Sequence, residues 1–222
     1  MRTLITGATR GIGRGLFEAA LEAGEDVTGT FRSAPPQDLA ARGRWEKLDL
    51  GDPASPDALS ERTKGRPLDL LVCNAGIYPD KGHRLESGYD PELWAQSFAV
   101  NVTGVFLTAR ALLGNLRAGS APRIAIIASR MGSSELAPGG SYIYRASKAA
   151  AINLGRNLAV DLAGEGIAVG IYHPGWVRTD MGGGAASIGV DEAVSGLRAR
   201  FRALGPESSG RFEGWDGTPL PF

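Results

Sequence analysis

The chain has 222 residues, with 24 Lys+Arg balanced by 24 Asp+Glu, 43% hydrophobic residues, 32 glycines, 13 prolines and one cysteine. Zero net charge excludes a general electrostatic grip on nucleic acid or anionic lipid, and the Gly+Pro share stays below the roughly 25–30% of low-complexity chains. The length suits one hydrophobic core and leaves no room for a separate substrate domain.

The longest apolar runs, Ile124–Ala128 and Ile167–Tyr172, fall far short of the ~18 residues of a membrane span. The N-terminus reaches Gly7 too early to hold a signal-peptide core. With Cys73 alone there is no disulfide framework, so a cytoplasmic protein is expected.

Thr3–Thr6 reads as a strand and passes directly into Gly7-Ala8-Thr9-Arg10-Gly11-Ile12-Gly13, with a helix predicted over Ile12–Gly24. Glycines at such a turn let the backbone approach a pyrophosphate, whose charge then sits on the helix N-terminus. Any tight strand-to-helix turn can also use glycine, so the turn alone leaves a purely structural role open. No Gly-Lys-Ser/Thr occurs, which excludes a Walker-type loop.

The second strand, Asp26–Phe31, ends at Phe31-Arg32, where a diol-binding NAD site wants an acid. Phenylalanine cannot accept those hydrogen bonds, whereas the Arg32 guanidinium can grip a 2′-phosphate with two parallel donors. Arg10 adds a second positive charge; for either arginine alone, a solvated surface residue is the plain alternative. Together with the missing acid they favour NADP(H) over NAD(H).

Further strands are predicted at Trp45–Leu48, followed by Asp49 and Leu50, and at Leu68–Cys73, followed by Asn74-Ala75-Gly76; Arg123–Ala128 leads into Ser129, and Ile167–Tyr172 precedes His173-Pro174-Gly175-Trp176-Val177-Arg178-Thr179. Helices are predicted over Pro53–Lys64, Pro91–Leu116 and Ser141–Gly164. Alternation of this kind implies right-handed βαβ units and a parallel sheet covered on both faces. Met181–Gly189, rich in glycine, is expected as a mobile loop closing over a site.

Tyr144 and Lys148 are spaced i, i+4, one turn apart on a helix face. A free phenol titrates near 10, and a neighbouring cation favours its phenolate. A Tyr-x3-Lys pair alone is more often a surface pair than a site. Cys73 reads as a small buried strand residue, with no His or Asp placed to make it a nucleophile. His83 reads as a surface residue and His173 as the end of a strand, and two histidines so far apart make no metal site.

Taken together, these signatures resemble the short-chain dehydrogenase/reductase family. The turn from Thr6 to Gly13 looks like its cofactor turn, and Asp49 matches its adenine-contacting acid. Cys73-Asn74-Ala75-Gly76 is similar to its Asn-Asn-Ala-Gly motif, with Cys73 replacing the first asparagine, and Val100-Asn101-Val102 to its helix asparagine. Ser129 matches the serine that binds the substrate carbonyl, Tyr144 and Lys148 the acid and its partner, and Pro174-Gly175-x-Val177-x-Thr179 the nicotinamide segment.

A narrower likeness, to the C-factor and sniffer-type carbonyl reductases, rests on Ser129–Ser133, on Pro174–Gly183 and on the tail Gly210–Pro221, which would form a final edge strand. The interval from Ser129 to Tyr144 is slightly longer than the family's usual one. Tyr142 lacks a Lys four residues on and is read as a pocket wall.

The resemblance implies one NAD(P)-binding Rossmann domain over 1–222, an α/β fold with a doubly wound, mostly parallel sheet of about seven strands and helices on both faces. Cofactor contacts are expected from Gly7, Thr9, Arg10, Gly11, Ile12 and Gly13, from Arg32, Asp49 and Leu50, from Asn74, Ala75 and Gly76, from Tyr144 and Lys148, and from Pro174, Gly175, Val177 and Thr179. Substrate would meet loops around 76–90, 130–142 and 175–190, with Tyr78, Tyr142, Trp176 and Met181 as walls.

The implied activity is NADPH-dependent reduction of an aldehyde, ketone or quinone to an alcohol. Tyr144 would act as general acid, Lys148 would lower its pKa, Ser129 would bind the carbonyl oxygen, and Asn101 would support a proton-relay water. The alternative is an NADP(H)-binding redox sensor or signalling protein with little turnover. Nucleotide-sugar epimerases share Tyr-x3-Lys but usually carry a longer substrate region after the nicotinamide segment. No metal is expected, and a homodimer or homotetramer is the family expectation.

Overall fold

A computed structural model describes all 222 residues. Seven parallel strands form one sheet: β1 (Arg2–Ile5), β2 (Asp26–Phe31), β3 (Arg44–Lys47), β4 (Leu70–Cys73), β5 (Arg123–Ile127), β6 (Ala168–His173) and β7 (Phe212–Gly214). Their spatial order is β3-β2-β1-β4-β5-β6-β7. The order reverses between β1 and β4, and open α/β sheets bind ligands beyond the carboxyl ends of the strands at such a switch point.

Side chains alternate across a strand, and here both sets are apolar. In β4, Leu71 and Cys73 enter one core cluster and Leu70 and Val72 the other; in β5, Ile124 and Ile126 part from Ala125 and Ile127 in the same way. The sheet therefore needs cover on both faces. One face receives α1 (Gly11–Glu22) and α7 (Val190–Ala203), through Leu16, Phe17, Ala20, Val194, Leu197 and Phe201. The other receives α2 (Ser55–Arg62), α4 (Gly104–Ala111), α5 (Leu113–Arg117) and α6 (Tyr142–Leu162), through Leu59, Val105, Leu116 and Leu162.

The expected long helix over Pro91–Leu116 is interrupted. It consists of α3 (Pro91–Phe98), a π-helical turn over Ala99–Thr103, then α4 and α5 with a break at Leu112. π-turns often mark functional sites, and Asn101 sits in this one. The predicted edge strand of the tail is β7, paired with β6. No helix is long and apolar enough to cross a membrane.

Candidate active site

A cleft of about 580 Å³ opens at the carboxyl ends of β1, β2 and β4. Gly7, Thr9, Arg10, Gly11, Ile12 and Gly13 line it from the glycine turn, and Arg32, Asp49 and Leu50 from the ends of β2 and β3. Asn74, Ala75 and Gly76, then Tyr144 and Lys148, then Pro174, Thr179 and Met181 complete the wall. Residues expected to share one ligand thus come from six separate segments into one cleft, Gly175 and Val177 excepted.

The turn is locked from beneath. A Cβ on Gly13 would stand 2.2 Å from the Gly7 carbonyl oxygen and 2.4 Å from Asn74 Nδ2, so only glycine lets the helix start this close to the strand. Asn74 Nδ2 donates to the Thr6 carbonyl at 2.9 Å. Thr6 Oγ1 accepts the backbone N–H groups of Asn74 and Ala75, and Thr30 Oγ1 accepts that of Gly7. Thr6 opens the turn read from the sequence but not in this role, and Thr30 carries no sequence signal.

The arrangement fits a dinucleotide. Gly11, Ile12 and Gly13 at the α1 N-terminus line the cleft, and helix termini of this kind take phosphates. Arg32 lines the cleft and makes no ion pair within the protein, leaving its donors free. Arg10 differs from expectation: its guanidinium pairs with Asp180 at 3.0 Å across the mouth, so part of its charge is already answered.

Tyr144 and Lys148 both belong to the first two turns of α6 and both are buried. Burial pushes the Tyr144 phenol up to about 12, partly opposed by a hydrogen bond from the Ser129 hydroxyl. Burial also pushes the Lys148 ammonium down to about 8. That ammonium donates to the Ile127 carbonyl at 2.9 Å and lies 5.7 Å from the Tyr144 ring centroid. The phenol is thus raised in the cofactor-free protein, with burial the largest cause. At neutral pH Tyr144 is a protonated donor.

Ser129 is held against α6 by close packing. A Cβ on Gly132 would meet the Lys148 backbone carbon at 2.5 Å, so glycine allows the 3₁₀ turn Arg130–Gly132 to lie directly on the helix. Arg145 donates to the Met131 and Leu136 carbonyls from the helix side. Ser129 Oγ also accepts the Met131 N–H at 3.1 Å, which fixes its rotamer.

Asn101 is engaged within the protein through its whole side-chain amide. Its Nδ2 donates to the Ile77 carbonyl at 2.9 Å and to the hydroxyls of Ser147 and Ser97, while its Oδ1 accepts the Ile77 N–H. Both amide hydrogens are committed to the protein, so the side chain clamps Ile77 and α6. Ser147, another residue sequence reasoning missed, also donates to the Tyr144 carbonyl.

The expected substrate walls divide. Tyr78 stacks on Tyr144 with ring centroids 4.1 Å apart, and Met181 lines the cleft. Tyr142 and Trp176 stand exposed outside its lining, Tyr142 edge-on to Tyr89 and Trp176 donating to the Gly182 carbonyl. Gly175 and Val177 do not line the cleft either: Val177 is buried and pairs with Ile188. The glycine-rich segment 181–189 is tied down by Thr179, by Arg178 and by Lys81, whose ammonium donates to the Met181 carbonyl. Cys73 is fully enclosed, with its thiol pushed up to about 12 by burial. His173 ends β6, and burial lowers it to about 4.

Residues 2–187 match the family model described as short chain dehydrogenase. The chain is 39% identical to the C-signal of Myxococcus xanthus over 158 residues, covering 70% of this chain and 93% of that one. Among solved structures it resembles the carbonyl reductase Sniffer of D. melanogaster, with TM-score 0.92, 31% identity, and coverage of 100% of this chain and 99% of that one. It also resembles the NADPH-bound carbonyl reductase from chicken fatty liver, with TM-score 0.89, 30% identity, and coverage of 100% and 98%.

Proposed function

The chain belongs to the short-chain dehydrogenase family, and from that premise we propose that it is an NADPH-dependent carbonyl reductase. One observation carries the reading. A protonated, buried Tyr144 and a buried Lys148 line the same cleft as the glycine turn, with the Ser129 hydroxyl in hydrogen-bond reach of the phenol.

The cofactor is NADP(H), as in the chicken fatty liver relative. It would lie on Gly7–Gly13 and the α1 N-terminus, with Arg32 at the 2′-phosphate and Asp49 near the adenine; when bound, it supplies the hydride. The protein's own part is to hold the substrate carbonyl and to manage its proton. Ser129 and Tyr144 donate to the carbonyl oxygen, where negative charge develops, and donors already aimed at that atom need no reorganisation. Tyr144 then gives up its proton as general acid. The phenol carries its proton beforehand, as the reductive direction requires. Lys148 places a positive charge beside the emerging phenolate, and Asn101 serves the site by fixing Ile77 and Ser147. The pocket over these donors is built from loops 76–90, 130–142 and 175–190.

The test is a panel of aldehydes, ketones and quinones with NADPH and with NADH, followed at the reduced-nicotinamide absorbance. Oxidation of NADPH by at least one class is expected. Cofactor binding without oxidation across the panel would favour a redox sensor instead. Arg32→Ala should weaken NADPH by about 1.5–3 kcal/mol, the scale of a charge-assisted hydrogen bond, and leave NADH nearly unchanged; equal loss for both in binding titrations refutes the phosphate role.

A further inference from the structure

The catalytic helix begins without a cap of its own. Its N-cap residue, Ser141, has φ 49° and ψ 44° and makes no capping bond, whereas a capping side chain needs an extended backbone at that position. The Ser141 hydroxyl is engaged by the Tyr78 phenol instead. The first amides of α6 would be left unsatisfied in a buried setting.

They are satisfied from far along the chain. Asp80 is wholly buried. Its Oδ2 accepts the Ile143 N–H at 2.8 Å and its Oδ1 accepts the Tyr144 N–H at 3.2 Å. Both carboxylate oxygens thus end on the turn that carries the proposed acid, and a negative group there complements the dipole of a 21-residue helix.

We propose that Asp80 is the positioning residue for Tyr144. It belongs to a short segment held at both ends. Ile77 is fixed through its N–H and carbonyl by Asn101, Tyr78 stacks on the Tyr144 ring, and Asp80 closes on the backbone of the same residue. Tyr144 is gripped by ring and by main chain from one four-residue stretch. Because that stretch follows Asn74–Gly76 on the cleft wall, the stretch keeps the phenol in register with the wall on which the cofactor would lie. A helix free to start one residue later would retain its length but shift the phenol, and misplacement by about 1 Å can cost 10²-fold in rate.

The role rests on the reductase reading, and its test separates the two. Asp80→Ala and Asp80→Asn are compared with wild type by kcat, KM and NADPH affinity, and by amide exchange of Ile143 and Tyr144 in the cofactor-free protein, followed by NMR. In Asp80→Ala both amides should exchange faster and kcat should fall about 10- to 100-fold, with NADPH affinity retained. Asp80→Asn keeps one acceptor at nearly the same volume and should recover part of both losses; it also serves if the alanine variant does not fold.

Unchanged exchange in both variants overturns the proposal. So does faster exchange with unaltered kcat, or a kcat loss matched by lost NADPH affinity. A wild type that reduces no carbonyl overturns the reductase reading, and exchange at Ile143 and Tyr144 then alone decides whether Asp80 holds this turn.

Discussion

Tyr144→Phe lowers kcat by about 10²–10⁴-fold, the range that positioned acid–base catalysis supplies, while NADPH affinity and thermal stability stay close to wild type. The expectation comes from the separation of the two jobs of this side chain. Its ring packs on Tyr78 at 4.1 Å, and phenylalanine preserves that contact and the buried volume. Ser129 is the polar side chain that acts on its hydroxyl, and without that hydroxyl the serine oxygen still accepts the Met131 N–H. Steady-state kinetics, cofactor titration and a melting curve check the three parts. A variant with near wild-type turnover removes Tyr144 from the mechanism; one that melts early or loses NADPH shows that the ring was not preserved.

Most of what the fold required was written locally. The strand at Asp26–Phe31 forms over the predicted residues, and five of the other six lie within two residues of theirs, β7 being much shorter than the predicted tail strand, because β-branched runs between glycine turns leave few alternatives. The helix α7 was not anticipated. Its buried residues Ala193, Val194, Leu197 and Phe201 have helical spacing, but they are diluted by five charged neighbours in a 14-residue stretch and follow a segment read as loop. The π-turn at Asn101 was illegible for a different reason: its asparagine amide reaches Ile77 and Ser147, contacts that no local pattern encodes.

The site divides along the same line. Glycines at a turn and Tyr-x3-Lys on one helix face are spacing rules within a single element, and the residues they pick out line one cleft. The residues that hold these elements in register are Thr6, Thr30, Ser147 and Asp80, each partnered across the fold. Asp80 lies 63 positions from the amide it caps. The change in proton chemistry has a tertiary origin as well. Lys148 at i, i+4 predicts a lowered phenol, whereas burial, which only the assembled fold supplies, is the largest cause acting on Tyr144 in the cofactor-free protein and raises it.

That enclosure gives Lys148→Met two opposite consequences. Turnover should fall about 10²-fold or more, since the charge that steadies the emerging phenolate is lost. Stability of the cofactor-free protein should move the other way near neutrality. The ammonium sits fully buried on one carbonyl, and its pKa is lowered from 10.5 to about 8 by desolvation.

Between those two values the unfolded chain binds more protons at this site than the folded one, so wild-type stability gains from this lysine as pH rises from about 8 to 10.5 and loses the gain as pH falls. The interval corresponds to roughly 3 kcal/mol. Methionine, of similar length and apolar, has no such dependence. It does leave the Ile127 carbonyl without its donor, a cost of about 1–3 kcal/mol at every pH.

The difference in unfolding free energy, Lys148→Met minus wild type, should therefore be most favourable to the variant at pH 7 and should shrink steadily up to pH 10.5. Urea titrations of the two proteins in parallel measure it, and the other titrating groups cancel in the subtraction. A difference independent of pH would mean that Lys148 is solvated in the free protein. A lysine kept here against its own desolvation is the thermodynamic mark expected of a residue retained for chemistry rather than for folding.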